Sequence, residues 1–162
     1  MSNSTESTGP FVERLEARAY SRATELPDRI SQAILNLFPE DARKHVKLST
    51  STVEGHQSIP MLIITGVLTA KKLTEQAVIF LFENLSAGDL SSIEQTLDQR
   101  IEDCTVFLRI DKQAAYLEQI EMAINADVIS LQIIVKNWPR CSDSDVRDFV
   151  QHLISVVGAK EC

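Results

Sequence analysis

The pattern of apolar and polar positions predicts a strand near the start of the chain. Residues 11–22 (FVERLEARAYSR) alternate apolar or small side chains with charged ones. A period of two is typical of a half-buried strand, so Leu15, Ala17 and Ala19 are expected to face the core. The outward face then carries Arg14, Glu16, Arg18, Tyr20 and Arg22. Such a stripe is either a solvated face with cross-strand ion pairs or a surface that contacts phosphates.

Five later segments also have the composition of strands, rich in apolar and β-branched residues. They cover residues 46–53, 61–68, 105–111, 116–124 and 128–136. The second of these is apolar almost throughout, which favours a central strand. Gly66 inside it indicates a bulge or a close approach of another segment. The last two are expected to form a hairpin through Asn125, Ala126 and Asp127.

Four helices are predicted between these strands, from apolar residues spaced three and four positions apart. They cover residues 24–38, 70–85, 89–101 and 143–157. Thr24 and Ser142 are expected as N-caps of the first and last helix, and Gly158 as the C-cap of the last. The resulting order, β-α-β-β-α-α-β-β-β-α, predicts an α+β fold in which a mainly antiparallel sheet is covered by helices.

The chain is predicted to contain one folded domain. Its 162 residues are 44% hydrophobic and 24% charged, which is typical of a soluble globular protein. The domain is placed at residues 11–158, with a disordered tail at 1–10 and a short tail at 159–162. No apolar run is long enough to span a membrane, and the polar first residues lack the pattern of a signal peptide. We therefore expect a cytoplasmic location.

The cysteines and histidines do not have the spacing of a metal site. Cys104, Cys141 and Cys162 are odd in number and far apart, which favours reduced thiols in a cytosolic protein. The three histidines supply no close ligand pair. The sequence also lacks the P-loop, GxGxxG and GxSxG motifs. We therefore expect no metal, no cofactor and no enzymatic activity.

The negative charge of the chain is concentrated in the two middle helices. The net charge is −7, and residues 73–103 contain seven acidic side chains and one arginine, which leaves only −1 for the rest. A locally basic face is therefore possible elsewhere, because exposed charges beyond about 8–10 Å are largely screened. The acidic helices in turn predict a docking surface for a basic protein partner. Its candidate residues are Glu83, Glu94 and Asp98.

Four stretches of the sequence have an order and spacing typical of one protein family. They are ARAYSRATELPDRISQAILNLFP, EGHQSIPM, RIEDCTVFLRIDKQAAYL and DVISLQIIVKNWPR. Together they resemble an archaeal family described as exosome-associated RNA-binding proteins with a fold like the double-stranded-RNA-binding domain. The resemblance runs from about Leu15 to Val156. Residues 57–59 (QSI) depart from the family's usual Tyr, Gly and Asn. Glu118 stands where the family tends to have Gly, which places a carboxylate beside the expected RNA face.

The resemblance implies a non-catalytic RNA-binding protein, accessory to the RNA exosome or to RNA processing, with RNA and exosome core subunits as partners. On this interpretation Lys112 holds a phosphate and Gln113 bonds a ribose hydroxyl or a base edge. Tyr20 or Phe107 would stack on a base. The candidate RNA-binding residues are Arg18, Arg22, His56, Arg109, Lys112, Gln113, Lys136 and Arg140.

Two alternatives remain open from the residues alone. Arg109 and Asp111 could form an ion pair, with Lys112 and Gln113 in an ordinary bulge. The protein could also be an adaptor that docks on a partner through the acidic helices within residues 73–103.

Overall fold

One antiparallel sheet is the frame of the protein, as the sequence predicts. The structure, a computed structural model, describes residues 9–54 and 60–159. The strands within these ranges are β1 (Phe11–Ser21), β2 (Lys47–Glu54), β3 (Pro60–Leu68), β4 (Ile101–Glu102), β5 (Thr105–Asp111) and β6 (Val128–Lys136). They are hydrogen-bonded in the order β2-β3-β1-β6-β5-β4, and every neighbouring pair is antiparallel.

Helices cover one face of this sheet, so the predicted α+β fold is confirmed. They are α1 (Pro27–Leu35), α2 (Glu40–Arg43), α3 (Lys71–Glu83), α4 (Ala87–Gln95), α5 (Leu97–Arg100), α6 (Lys112–Tyr116) and α7 (Asp143–Ala159). Strand residues that point to the helices, such as Leu108 and Leu131, are buried. The opposite face, which presents Arg18, Arg109 and Ser130, is exposed to solvent, and we call it the open sheet face. None of the helices in the described ranges has the length and apolarity needed to cross a membrane.

The central strand β1 confirms the predicted alternation and adds one irregularity. Ala17 and Ala19 are buried, whereas Arg18 and Tyr20 are exposed. Near the start of the strand the pairing with β6 shifts between Val12 and Arg14, which leaves one extra residue in β1. A bulge of this kind changes the phase of the alternation by one residue.

Two predicted helices have different ends from those expected. The first helix begins at Pro27 with Leu26 in the N-cap position, so the prediction of Thr24 as its cap is wrong. Proline is favoured at this position because the first helical N–H has no partner within the helix. The helix predicted at 89–101 instead has Ser86 as its N-cap and is divided at Thr96 into α4 and α5.

The last helix confirms one predicted cap and corrects the other. The Ser142 hydroxyl accepts a hydrogen bond from the Asp145 N–H at 3.2 Å, and the Asp145 carboxylate accepts one from the Ser142 N–H at 3.0 Å. These reciprocal bonds satisfy N–H groups that have no partner within the helix. The helix continues through Gly158 to Ala159, so Gly158 is not its C-cap.

The predicted strand at 116–124 and its hairpin are wrong. The Asp111 carboxylate accepts a hydrogen bond from the Ala114 N–H at 2.8 Å and caps the short helix α6. Such a side-chain bond offers the backbone an alternative to the sheet. Farther along, Met122 forms only an isolated bridge to β5, and its N–H donates to the Asp89 carboxylate at 3.0 Å. Local capping and a distant acceptor therefore determine the course of this segment.

The end of α6 has a geometry that favours glycine at position 118, where this chain has glutamate. The Gln119 N–H donates to the Ala114 carbonyl at 2.9 Å, and the Glu118 N–H donates to the Ala115 carbonyl at 3.0 Å. These two bonds form a Schellman motif, in which the residue after the C-cap is left-handed. Glu118 has a φ of 65°. Glycine is favoured in that conformation because it has no Cβ.

Gly66 in β3 confirms the expected close approach. A Cβ atom at this position would lie 2.9 Å from the Ile34 side chain and 3.1 Å from the Val46 side chain. Helix α1 therefore packs directly on the backbone of β3.

The expectation of reduced thiols is wrong for two of the three cysteines. Cys104 and Cys141 form a disulfide, with Cα atoms 6.4 Å apart. The separation of 37 residues hid this pair in the sequence, because only the fold places the β4–β5 turn beside the segment that precedes α7. Cys162 lies outside the described residues.

We predict that Glu118→Gly raises the free energy of unfolding by about 0.5–1 kcal/mol. Relief of a left-handed penalty of roughly 1–2 kcal/mol is partly offset by the chain entropy that glycine loses on folding. Urea unfolding measures the change. The neighbouring Leu117→Gly is the control, because Leu117 has an ordinary negative φ of −90° and its replacement should be destabilising. A loss of stability in Glu118→Gly would contradict the prediction.

Candidate nucleic-acid interface

A depression of about 650 Å³ on the open sheet face brings several predicted RNA-binding residues together. Arg18 and Arg22 enter it from β1 and the turn that follows, and Arg109 enters it from β5. Lys112 contributes to its edge. The strand order explains this meeting, because β1 and β5 are separated by β6 alone.

Polar side chains form a row across the open sheet face beside this depression. The register places Arg18 opposite Thr65 on one side and opposite Ser130 on the other. Ser49 extends the row beyond Thr65, and Arg109 extends it beyond Ser130. Neighbouring strands are about 4.8 Å apart, so the backbones that carry the two arginines are about 10 Å apart. Guanidinium and hydroxyl groups in such a row suit phosphate and sugar oxygens.

The arginines of this face differ in their protein partners. The carboxylate of Glu16, which is 8% exposed, lies 2.8 Å from Nη2 of Arg14 and 3.5 Å from Nη2 of Arg18. Within residues 9–54 and 60–159, no carboxylate lies at ion-pair distance from Arg22 or Arg109. Glu16 therefore restrains Arg18, while the other two guanidiniums keep their donors available for an anion.

Two aromatic rings lie on either side of this row. Tyr20 is 51% exposed and Phe107 is 39% exposed. Both belong to strands whose opposite faces are buried in the core, so their backbones are held rigidly. Exposed rings on a rigid sheet can serve as stacking platforms for bases.

Lys112 is buried and paired, although the sequence suggested a phosphate contact. It is 3% exposed, and its Nζ lies 2.8 Å from the Asp127 carboxylate and 3.0 Å from the Glu25 carboxylate. The same Nζ donates to the Tyr20 carbonyl at 3.0 Å. A buried ammonium requires such partners, since its desolvation is costly. We call Lys112, Glu25, Asp127 and the Tyr20 carbonyl the Lys112 cluster.

Neighbouring residues reinforce the Lys112 cluster. The Gln113 amide donates to the Asp127 carboxylate at 2.9 Å, and the Arg22 N–H donates to the Glu25 carboxylate at 2.8 Å. Burial raises the pKa of Asp127, but hydrogen bonds from Gln113 and Lys112 and the charges of Lys112 and Arg22 outweigh it. The pKa of Asp127 is therefore below its usual value. Gln113 and Lys112 both hold the loop at Asp127 in place.

The remaining candidates lie away from the depression or outside the described residues. Lys136 is on the open sheet face but six residues along β6 from Ser130, which corresponds to about 20 Å. Its ammonium faces the Glu13 carboxylate at 3.8 Å. Arg140 is exposed beyond the end of that strand. His56 belongs to the segment 55–59, which the structure does not describe.

The acidic residues occupy the helical side of the sheet. Glu83 ends α3, Glu94 lies in α4, and Asp98 lies in α5. The Asp98 carboxylate is 2.8 Å from Nε of Arg147, and both side chains are exposed. Glu118 lines a different depression from the one that Arg18, Arg22 and Arg109 line, so the fold separates its carboxylate from these three arginines.

Sequence analysis missed the two carboxylates that pair with Lys112. Glu25 lies in the turn after β1, and Asp127 lies in the loop before β6. The two residues are about a hundred positions apart in the sequence, and only the fold brings both carboxylates to the Lys112 ammonium. The hydroxyls of Ser130 and Thr65 were also missed, because a row across strands requires the strand order and register. Among the described residues, no group of three or more His, Cys, Asp and Glu side chains is arranged to hold a metal ion.

We predict that Lys112→Met lowers the free energy of unfolding by about 2–3 kcal/mol. The variant leaves two partly buried carboxylates without their cation, and breaking a buried ion pair costs roughly 3–5 kcal/mol. Chemical denaturation provides the measurement. Lys136→Met is the matched control, because its pair with Glu13 is exposed and such pairs contribute at most about 1 kcal/mol. Equal effects of the two variants would contradict a structural role for Lys112.

We also predict that the contribution of Asp127 to stability disappears in acid. An aspartate titrates near about 3.9 when unfolded, and the folded pKa of Asp127 lies lower. The stabilisation is therefore fully present above about pH 4 and is lost as the pH falls through the folded pKa. Unfolding of the wild type and of Asp127→Asn, compared between about pH 6 and pH 2, measures this. A difference between the two proteins that does not change with pH would refute the prediction.

Comparison with known proteins shows which family this chain resembles. The model of a family described as RNA binding matches residues 14–135. RNA-binding protein PAB1135 of Pyrococcus abyssi is 27% identical over 135 residues, which cover 82% of this chain and 88% of that protein.

Solved structures share the fold. Protein AF2318 from Archaeoglobus fulgidus has a TM-score of 0.75 at 26% identity, covering 88% of this chain and 99% of that one. Mth689 from Methanothermobacter thermautotrophicus has a TM-score of 0.72 at 20% identity, covering 89% and 98%, and shows the likeness of fold alone. These relatives come from archaea, as the resemblance implied. Because the family model matches most of the chain, the protein belongs to this RNA-binding family.

Proposed function

We propose that the protein binds RNA through the open sheet face and has no catalytic role of its own. Arg18, Arg22 and Arg109 contact phosphates in the depression. Lys112 and Gln113 act indirectly, by fixing the loops that border it. The observation that carries this proposal is the row in which Arg18 and Arg109 flank Ser130, on a face that no described helix covers.

The charge distribution supports this choice of surface. Glu83, Glu94 and Asp98 lie on the helical side of the sheet, and Arg18, Arg22 and Arg109 lie on the other side. The core separates Glu83, Glu94 and Asp98 from these arginines, and exposed charges more than a Debye length of about 8–10 Å apart are largely screened. These acids therefore oppose RNA binding only weakly. Lys136 and Arg140 lie in the direction in which a longer RNA would continue along β6.

The proposal extends to a place in RNA metabolism. We infer an accessory role beside the RNA exosome, or in RNA processing more generally, in the cytoplasm. This part rests on the family resemblance alone, as does the likeness to a double-stranded-RNA-binding domain.

We predict that Arg18→Ala/Arg109→Ala strongly weakens RNA binding and makes the remaining affinity less sensitive to salt. Each lost phosphate contact should reduce the slope of log affinity against log salt by about 0.7 on a single strand, or about 1.4 for both. Fluorescence anisotropy with a labelled RNA of about six nucleotides, at about 50 and 200 mM salt, measures both quantities. Lys136→Ala/Arg140→Ala is the matched control, which removes the same charge about 20 Å away and should retain most of the affinity.

The control also decides between two surfaces. If the Lys136→Ala/Arg140→Ala variant loses binding and the Arg18→Ala/Arg109→Ala variant keeps it, the RNA site lies at the far end of the sheet. If the wild type binds no RNA at low salt, the proposed function is wrong.

A second candidate function is that of an adaptor for a basic protein partner. It is favoured by an apolar groove of about 370 Å³ between α3 and α7, in which Ile79 and Val156 are each 40% exposed. Glu75 also lines this groove. Glu83, Glu94 and Asp98 would add electrostatic complementarity on the same side of the sheet.

We predict that Glu94→Lys/Asp98→Lys weakens co-sedimentation with a purified exosome core and leaves RNA affinity unchanged. Charge reversal replaces attraction to a basic surface with repulsion. Because Asp98 pairs with Arg147, Arg147→Ala serves as the control for loss of that pair alone. Adaptor docking is wrong if the charge-reversed protein co-sediments like the wild type.

A further inference from the structure

We propose that the RNA bound on the open sheet face is single-stranded, with one base stacked on Tyr20 and another on Phe107. Arg18 and Arg109 hold the phosphates between these two bases. The inference rests on the proposed RNA-binding function and adds the form of the RNA and the mode of contact.

The sheet places the two rings on opposite sides of the arginine row. Tyr20 follows Arg18 by two residues on β1, and Phe107 precedes Arg109 by two residues on β5. Both strands are antiparallel to β6, so they run in the same direction. A step forward on one strand and a step back on the other therefore lead to opposite sides of the row. All four side chains lie on the open sheet face.

The spacing of the rings favours separated bases. Their backbone positions differ by four residues along the strands, about 13 Å, and by two strands across the sheet, about 10 Å. The direct separation is therefore about 16 Å. Bases stacked in a helix are only about 3.4 Å apart. Bases on these two rings must consequently be splayed away from each other, which a single strand permits and a paired duplex does not.

The charges of this face lead to the same conclusion. Around the depression and the row, Arg14, Arg18, Arg22 and Arg109 are opposed by Glu16 and Glu54, while the Lys112 cluster contains two carboxylates for one ammonium. Such a nearly balanced face releases few counterions and cannot hold a duplex by charge alone. Stacking of bases on exposed rings then supplies much of the affinity.

The hydroxyls of the row complete the site. Ser130 lies next to Arg18 on β6, between the two rings, and Thr65 lies next to Arg18 on its other side, on β3. They are within reach of the sugars that link the stacked bases. A ribose 2′-hydroxyl can both donate to and accept from such groups, and DNA lacks it.

The first experiment compares strand forms. Fluorescence anisotropy is measured with a labelled single-stranded RNA of about ten nucleotides and with the blunt duplex of the same sequence. We expect the single strand to bind at least about tenfold more tightly than the duplex. Equal or tighter binding of the duplex overturns the inference while leaving the proposed function in place. No binding of either RNA defeats the proposed function itself.

The second experiment separates stacking from charge. Tyr20→Ala and Phe107→Ala should each weaken single-strand binding about fivefold or more, which corresponds to a loss of about 1 kcal/mol or more. Tyr20→Phe and Phe107→Tyr keep a ring and should bind nearly like the wild type, which also controls for folding. An RNA whose bases are replaced by abasic sugars retains its phosphates and should bind wild type and Ala variants equally weakly. The inference fails if the Ala variants bind intact RNA as well as the wild type does.

Discussion

The ion cluster around the Lys112 ammonium is the interaction on which the geometry of the open sheet face depends. It joins the end of β1 through the Tyr20 carbonyl, the following turn through Glu25, and the loop before β6 through Asp127. Each of these segments borders the depression, and the Lys112 ammonium joins all three at one point. A lysine that contacted a phosphate directly would add one charge to the surface. Buried at this junction, it instead fixes the positions from which Tyr20 and Arg22 leave the sheet.

Alternation and helical periodicity predicted most of the fold, because the core requires them. Ala17 and Ala19 face inward and Arg18 faces outward as expected, and Ile30, Ala33 and Ile34 form the buried stripe of α1. Prediction failed at 116–124, where apolar residues alternate in the sequence. There the caps of α6 and the distant carboxylate of Asp89 determine the course of the backbone. The alternation of apolar and polar residues reveals neither of these contacts.

For the candidate site, the sequence predicted the residues of each strand separately but not which strands lie side by side. The pattern indicated that Arg18 and Arg109 point outward, but their meeting depends on the insertion of β6 between β1 and β5. More than ninety residues of sequence separate Tyr20 from Lys112, and the ion cluster that joins them is a product of tertiary structure. The same holds for the Cys104–Cys141 pair. Sequence therefore indicates the face that a residue occupies more readily than its neighbours across the sheet.

The bulge near the start of β1 divides this strand into two segments of opposite phase. Before it, Val12 points into the core, and after it, the residues that point inward are Leu15, Ala17 and Ala19. Strand pairing can absorb a change of length at such an irregularity. A gain or loss of one residue before the bulge would thus leave the open sheet face unaltered. The same change between Leu15 and Tyr20 would turn arginine and tyrosine into the core and alanines outward. Natural variation in length within the family is therefore expected to occur at the first few residues of this strand and to stop at its middle.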